Sequence, residues 1–200
     1  MITTRKAQAD DSPVVYEIAI SRWKRTRLKD GLTKPKLERE GFLLYPLNLQ
    51  QYQERIRGSD HFWVAERAGR IVAYCMAYTF TELESFTSLT ENDQNLIAYF
   101  RSWGCQAGSI YFAQAATIRS HEARGAMAAL AVCLPKHAIE RGVSAILCEI
   151  SLMPRNRPSL AAASRTGFRM VATRTKTDPT NGTDRISGTF IKILENKVWQ

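Results

Sequence analysis

The second half of the chain constrains the fold most, because short β-rich runs alternate there with helices. Residues 109–118 and 143–152 are apolar, β-forming runs, and between them lies the alanine-rich stretch 125–141, closed by Gly142. A helix joining two strands returns the chain to the end of the sheet where it started, so these strands are expected to pair in parallel. A short helix over 158–166 follows, opened by Pro158 and closed by Gly167, then strands at 168–175 and 189–194 with Asn181-Gly182 in the loop between them. Pro135 falls inside the long helix, removes one backbone hydrogen bond, and predicts a kink or a split at a cost of ~3 kcal/mol.

The first half reads differently. Asp11-Ser12-Pro13 marks a helix start, with Ser12 as the capping residue and Pro13 in the first turn. Val15, Ala19 and Trp23 recur every fourth residue beside Ile18, which makes Trp23 part of a packing stripe rather than a stacking platform. Lys34-Pro35-Lys36 interrupts any continuous helix. Asn48 to Gln51 forms a capping box that opens a helix to about Arg57. Residues 61–66 and 71–78 flank Ala68-Gly69 and predict a hairpin. The stretch 79–100 holds Glu82, Glu84, Glu91 and Asp93 and no basic residue, with Thr90 and Asp93 capping a helix that ends near Gly104.

With 200 residues, 44% hydrophobic, the chain suits one core, so a single domain spans 1–200, with 79–108 as an acidic helical insertion between strands. Its longest apolar stretches, 126–135 and 71–78, are too short to cross a bilayer, and residues 1–11 are polar. Cys75, Cys105, Cys133 and Cys148 are widely spaced and read as reduced core cysteines of a cytoplasmic protein. His61, His121 and His137 lack metal-ligand spacing, so no metal is expected. A net charge of +9 favours a polyanionic partner. Residues 22–29 concentrate part of that charge, either for nucleic acid or as a solvated helix end.

Two segments carry chemistry. At 118–130, IRSHEARGAMAAL, a strand gives way to a loop with two arginines and then to a helix starting on small residues. Helix-initial amides lack internal partners and favour a phosphate, and small side chains let it approach. At 149–168, Asn156 lies just past a strand, followed by a short helix and Gly167-Phe168 entering the next strand. Together with Arg5-Lys-Ala…Asp10, the hairpin WVAERAGRIVAY and Gln114 before Ala-Ala-Thr-Ile, these motifs resemble the GNAT-type N-acetyltransferase superfamily over most of the chain.

The resemblance implies an α/β fold of mixed sheet with a central splayed pair of parallel strands flanked by helices. It implies acetyl-CoA as co-substrate and direct attack by a primary amine, from a small molecule or peptide, on the thioester. Backbone groups of Ala116, Thr117 and Ile118 would meet the pantetheine and the reacting carbonyl. The amides of Arg124, Gly125, Ala126, Met127, Ala128 and Ala129 would cradle the pyrophosphate, with charge from Arg119 or Arg124, and Asn156 would touch the pantetheine arm or shape the strand exit. Two registers of the family's R/Q-x-x-G-x-G/A loop fit, one keeping Arg124 and one placing Ala126 and Ala128 at the small positions. The family's usual acid, seven residues after the Asn, is replaced by Ala163, leaving Ser164 beside it. Alternation puts Leu147, Glu149 and Ser151 on one strand face, which makes Glu149 the candidate base, or else the partner of an arginine. Glu82 and Glu84 are candidates to receive the amine, or else a solvated edge. A homodimer is compatible with the family; membrane and nucleic acid are not expected as partners. The competing reading is a catalytically silent acyl-CoA-binding or nucleic-acid-associated module.

Overall fold

The computed structural model describes residues 1–45, 47–102, 108–177 and 184–194. In chain order these form β1 (Ile2–Lys6), α1 (Ser12–Arg22), α2 (Lys24–Lys29), α3 (Lys34–Glu40), α4 (Leu49–Gly58), β2 (Phe62–Arg67), β3 (Arg70–Thr79), α5 (Phe80–Ser85) and α6 (Glu91–Ser102). The second half adds β4 (Ser109–Thr117), α7 (Ala126–Glu140), β5 (Ala145–Met153), α8 (Arg157–Arg165), β6 (Arg169–Thr177) and β7 (Asp184–Ile193). Asn181-Gly182, Cys105 and the expected helix end at Gly104 lie outside the described residues.

The strands form one sheet in the order β1-β2-β3-β4-β5-β7-β6. Only β4 and β5 run in parallel, as the helical connection requires; every other pair is antiparallel. One face carries Val15, Ile18 and Ala19 of α1, Tyr52 and Ile56 of α4 and Phe100 of α6 over Val64, Tyr74 and Tyr111. The other face carries Ala126, Leu130, Leu134 and Ala138 of α7 over Val72, Ile110 and Ile146. The i, i+4, i+8, i+12 spacing of that α7 stripe is the helical period that lets one face seat on the sheet.

Local signals explain the elements and several departures. Asn48 and Gln51 form the expected capping box, and Thr79 with Glu82 forms a second one that opens α5. The β2–β3 turn places Ala68 and Gly69 at positive φ. Ser12 is not the cap of α1: it is fully buried inside the first turn, while the Asp11 carboxylate accepts from the Gln8 amide and is clamped by Arg5. Pro35 does not merely interrupt; it sits in the first turn of α3, where no amide is needed. Pro135 does not split α7, which runs unbroken through it. Trp23 is only half buried, ending α1 with its indole donating to the Leu44 carbonyl at 3.0 Å.

Candidate active site at the strand splay

The parallel register between β4 and β5 covers four pairs, Ser109↔Ala145 to Phe112↔Cys148. Beyond Phe112, β4 continues alongside β3 to Thr117 while β5 stays paired with β7. The gap opens into a cleft of about 1430 Å³ that passes from the α7–α8 side of the sheet to the side of Tyr111 and Glu149. Which β4 groups face it follows from ladder alternation. The Ile118 amide donates to the Val72 carbonyl at 2.9 Å, so it faces β3 and is not available to a ligand. Ala116, opposite Tyr74, falls on the same hydrogen-bonded set, whereas Thr117 and Ala115 direct their N–H groups away from β3. Of the three β4 residues expected to bind, Thr117 presents the open amide.

At the start of α7, Gly125 is the N-cap at φ +86°, a left-handed conformation that glycine adopts without strain. The Arg124 amide is taken by the His121 carbonyl and the Ala129 amide by Gly125, at 3.0 Å each. The set 124–129 therefore narrows to Gly125, Ala126, Met127 and Ala128, the amides that precede the first helical bond. The Ala126 side chain is buried in the core, while Met127 and Ala128 line the cleft. Arg124 and Arg119 are exposed nearby, and Arg119 lies 3.9 Å from Glu40.

One wall of the cleft is the segment 41–45, held by residues distant in sequence. Asn156 Nδ2 donates to the Phe42 carbonyl at 3.0 Å, and Gln114 Nε2 to the Tyr45 carbonyl at 2.8 Å. Gln114 Oε1 accepts from Tyr52 at 2.7 Å and Tyr74 at 3.1 Å. Gly41, at φ +78°, passes so close to α8 that an added Cβ would lie 3.3 Å from Asn156 Oδ1 and Pro158. The Asn156 side chain thus ties segment 41–45 to the start of α8, and among the described residues its buried Oδ1 has no hydrogen-bond partner at the cleft wall. The basic segment 22–29 serves this wall too. Arg27 is fully buried, donating to the Gly41 carbonyl at 2.8 Å and to Glu40. Arg22 is half buried and donates to Thr117 Oγ1 at 3.3 Å; burial, then repulsion from Arg27 and Arg119, lowers its pKa against the pull of Glu40. For these two arginines, neither a solvated helix end nor a nucleic-acid face describes the arrangement.

The other expected residues are dispersed. Glu149 does share a face with Leu147 and lines the cleft, but Lys176 Nζ donates to its Oε2 at 2.7 Å and Arg174 lies 3.8 Å away. It has the cationic partners that the sequence left as its alternative reading. Ser164 is exposed on α8 and does not line the cleft, and Ala163 is buried in an apolar cluster with Phe190. Glu82 accepts from the Thr79 and Asp60 amides, a structural task, and Glu84 pairs with Arg101 at the surface. Neither reaches the cleft. Cys75 and Cys148 are buried, and burial pushes the Cys148 thiol up to about 12, so it is no nucleophile. Among the described residues, no group of three His, Cys, Asp or Glu could hold a metal, and no helix is long and apolar enough to cross a membrane. Sequence reading missed Arg22, Tyr45, Arg174, Lys176 and Arg185 at the cleft. The alternation Arg174-Thr175-Lys176 was the available signal, two cations on one face of a strand.

No family model and no curated protein matches the sequence. Solved structures match over almost the whole chain. The ribosomal-protein-S18-alanine N-acetyltransferase from Escherichia coli superposes with a TM-score of 0.62 at 13% identity, covering 100% of both chains. The ribosomal-protein-alanine N-acetyltransferase from Brucella melitensis gives 0.62 at 18% identity, over 96% of this chain and 99% of that one. YncA from Salmonella typhimurium, solved with its cofactor acetyl-CoA, gives 0.60 at 14%, over 98% and 96%. The fold is that of the GNAT N-acetyltransferases.

Proposed function

We propose that this chain transfers an acetyl group from acetyl-CoA to a primary amine by direct attack. The observation that carries the reading is the open Thr117 amide at the splay, with the unpaired amides of Gly125 to Ala128 opening the helix that lines the same cleft. The helix start would hold the pyrophosphate, with Arg119 and Arg124 adding charge. Asn156 Oδ1, an acceptor without a donor, would take a pantetheine N–H. The Thr117 amide would donate to the thioester oxygen, more strongly as it becomes an oxyanion.

The amine attacks in its neutral form, the C–N bond forms, and collapse of the tetrahedral adduct breaks C–S. Lys176 Nζ already occupies Glu149 Oε2, and Arg174 stands 3.8 Å from its Oε1. We therefore give Glu149 the task of holding the cations around it, and proton removal to water in the cleft. Neither Ser164 nor Ala163 offers an acid at the sulfur. The sulfur departs as thiolate, feasible at a thiol pKa of about 8.5.

The test is thermal unfolding with acetyl-CoA, free coenzyme A and ATP, followed by an amine panel read by thiol release. Ligand at about a thousand times its Kd adds ~4 kcal/mol, which moves the midpoint by roughly 8–16 °C. A shift with both coenzyme A species and not with ATP is expected. No shift at millimolar acetyl-CoA overturns the proposal.

A further inference from the structure

On the far side of the splay from α7, the cleft is walled by β5, β7 and β6. The register places Lys176 directly opposite Arg185, Arg174 opposite Ser187, and Glu149 opposite Thr189, so these side chains share one sheet face. Three cations thus share this face with Glu149, which Lys176 and Arg174 approach. Like charges in directly opposed positions of adjacent strands repel, an arrangement that folding alone disfavours. Burial lowers the Lys176 pKa, and Arg174 and Arg185 lower it further against the pull of Glu149.

How the guanidinium groups are held adds a second observation. Arg174 lies over the Tyr99 ring at 4.6 Å and Arg185 over the Tyr45 ring at 4.9 Å. Stacking orients the planar groups without consuming their N–H donors. Glu149 receives its hydrogen bond from Lys176, not from either arginine. Among the described residues, Arg174 Nη1 (3.8 Å from Glu149 Oε1), Arg185 Nε and Arg185 Nη1 are accordingly buried without a hydrogen-bond partner, and Arg185 is only 7% exposed although it lines the cleft. Buried donors without acceptors are costly, and a guanidinium fork matches an oxyanion.

We infer that Arg174, Lys176 and Arg185 form an oxyanion-binding subsite for the acceptor, so that the amine acetylated here also carries a carboxylate or phosphate. The inference rests on the acetyl-transfer reading and narrows it to a substrate class. Glu82 and Glu84, the sequence's candidates to receive the amine or else a solvated edge, lie away from this cluster.

Matched amines test it: 4-aminobutyrate against butylamine and O-phosphoethanolamine against ethanolamine, with wild type, Arg174→Gln and Arg185→Gln. Retention of the acetyl-CoA thermal shift shows that each variant is folded and binds the coenzyme. Expected is a preference for the anionic member of at least one pair, which also identifies carboxylate or phosphate. Each variant should raise KM for that amine by about 10- to 100-fold, the worth of a charge-assisted hydrogen bond, with a much smaller change in kcat. Thermal shifts with the anionic amines alone read the subsite even if acetyl-CoA fails to bind. Neutral amines serving as well as their anionic partners, with an intact acetyl-CoA shift, would overturn the subsite and leave acetyl transfer standing. So would an Arg185→Gln effect on acetyl-CoA binding alone, which would assign these cations to the coenzyme.

Discussion

The open amide at Thr117 can be deleted without touching the β3–β4 ladder. Beyond Phe112 the β5 side of β4 is unpaired, so at Thr117 the strand behaves as an edge, the setting in which proline is tolerated within sheets. Of the backbone groups Thr117→Pro removes the outward N–H alone, and Ala116 before it is already extended, as a residue preceding proline prefers. Loss of one donor to a developing oxyanion is worth ~2.7–4 kcal/mol, or about 10²–10³ in kcat. The substitution also removes Thr117 Oγ1, which accepts a long bond from Arg22. Thr117→Val isolates that loss, expected at ~0.5–1.5 kcal/mol of stability and a few-fold at most in rate. Ile118→Pro is the opposite control: it deletes the bond to the Val72 carbonyl and should unfold the strand end. The assay is steady-state thiol release with the best amine of the panel, on variants that retain the acetyl-CoA thermal shift. A kcat for Thr117→Pro within threefold of Thr117→Val would refute the assignment of the oxyanion donor.

Other consequences follow from the wall and the core. Arg27→Met leaves the Gly41 carbonyl and Glu40 without their buried partner; a loss of ~3–5 kcal/mol, or roughly 6–20 °C, should appear in thermal unfolding, together with weaker acetyl-CoA binding. Asn156→Ala frees the Phe42 carbonyl and removes the unpaired Oδ1, so KM for acetyl-CoA should rise about tenfold in titration kinetics, more than kcat falls. His61 is buried against His137, and burial lowers its pKa despite nearby Glu82, so the unfolded chain binds the proton more readily. Stability should therefore decline as pH drops below about 6.5, and His61→Phe should flatten that limb of a denaturant series. Glu54 behaves in the same sense at lower pH: burial opposes its charge, but hydrogen bonds from Ser88 and Thr87 outweigh it and bring the carboxyl down to about 2. Its contribution is complete above the unfolded value near 4.3 and is lost as pH falls towards 2, a loss that Glu54→Gln should abolish.

The fold was legible where local chemistry and topology agree. A helix between two strands dictates the parallel pair, and the caps at Asn48, Thr90 and Gly142 sit where their side chains or their tolerance of positive φ predict. Misreadings arose where a tertiary contact outweighs local preference. Ser12 has the chemistry of a cap, but Asp11 reaches the Gln8 amide first and Arg5 holds it there. Pro135 has no amide to continue the ladder, yet Leu134 and Ala138 bury the helix on either side of it against the sheet, and packing of that face sustains α7.

The candidate site is legible by position and less so by role. Under the proposed function backbone groups would do the binding, and a sequence places them only to within a residue, because a shift of one reverses which amides face the gap. Within the candidate stretches 116–118 and 124–129, the Ile118, Arg124 and Ala129 amides are already bonded. Charged side chains misled in the other direction. Arg22 and Arg27 look solvated in a run of cations, yet they face inward because segment 41–45 brings carbonyls and Glu40 over them. Glu149 looks catalytic on an otherwise apolar strand, yet Arg174 and Lys176, more than twenty residues further on, return through β6 to the same face. Pairing along the sheet, invisible to local patterning, converts a lone carboxylate into the minority charge of a cationic cluster. In the proposed acceptor subsite the chemistry would therefore be set by what β6 and β7 deliver to β5.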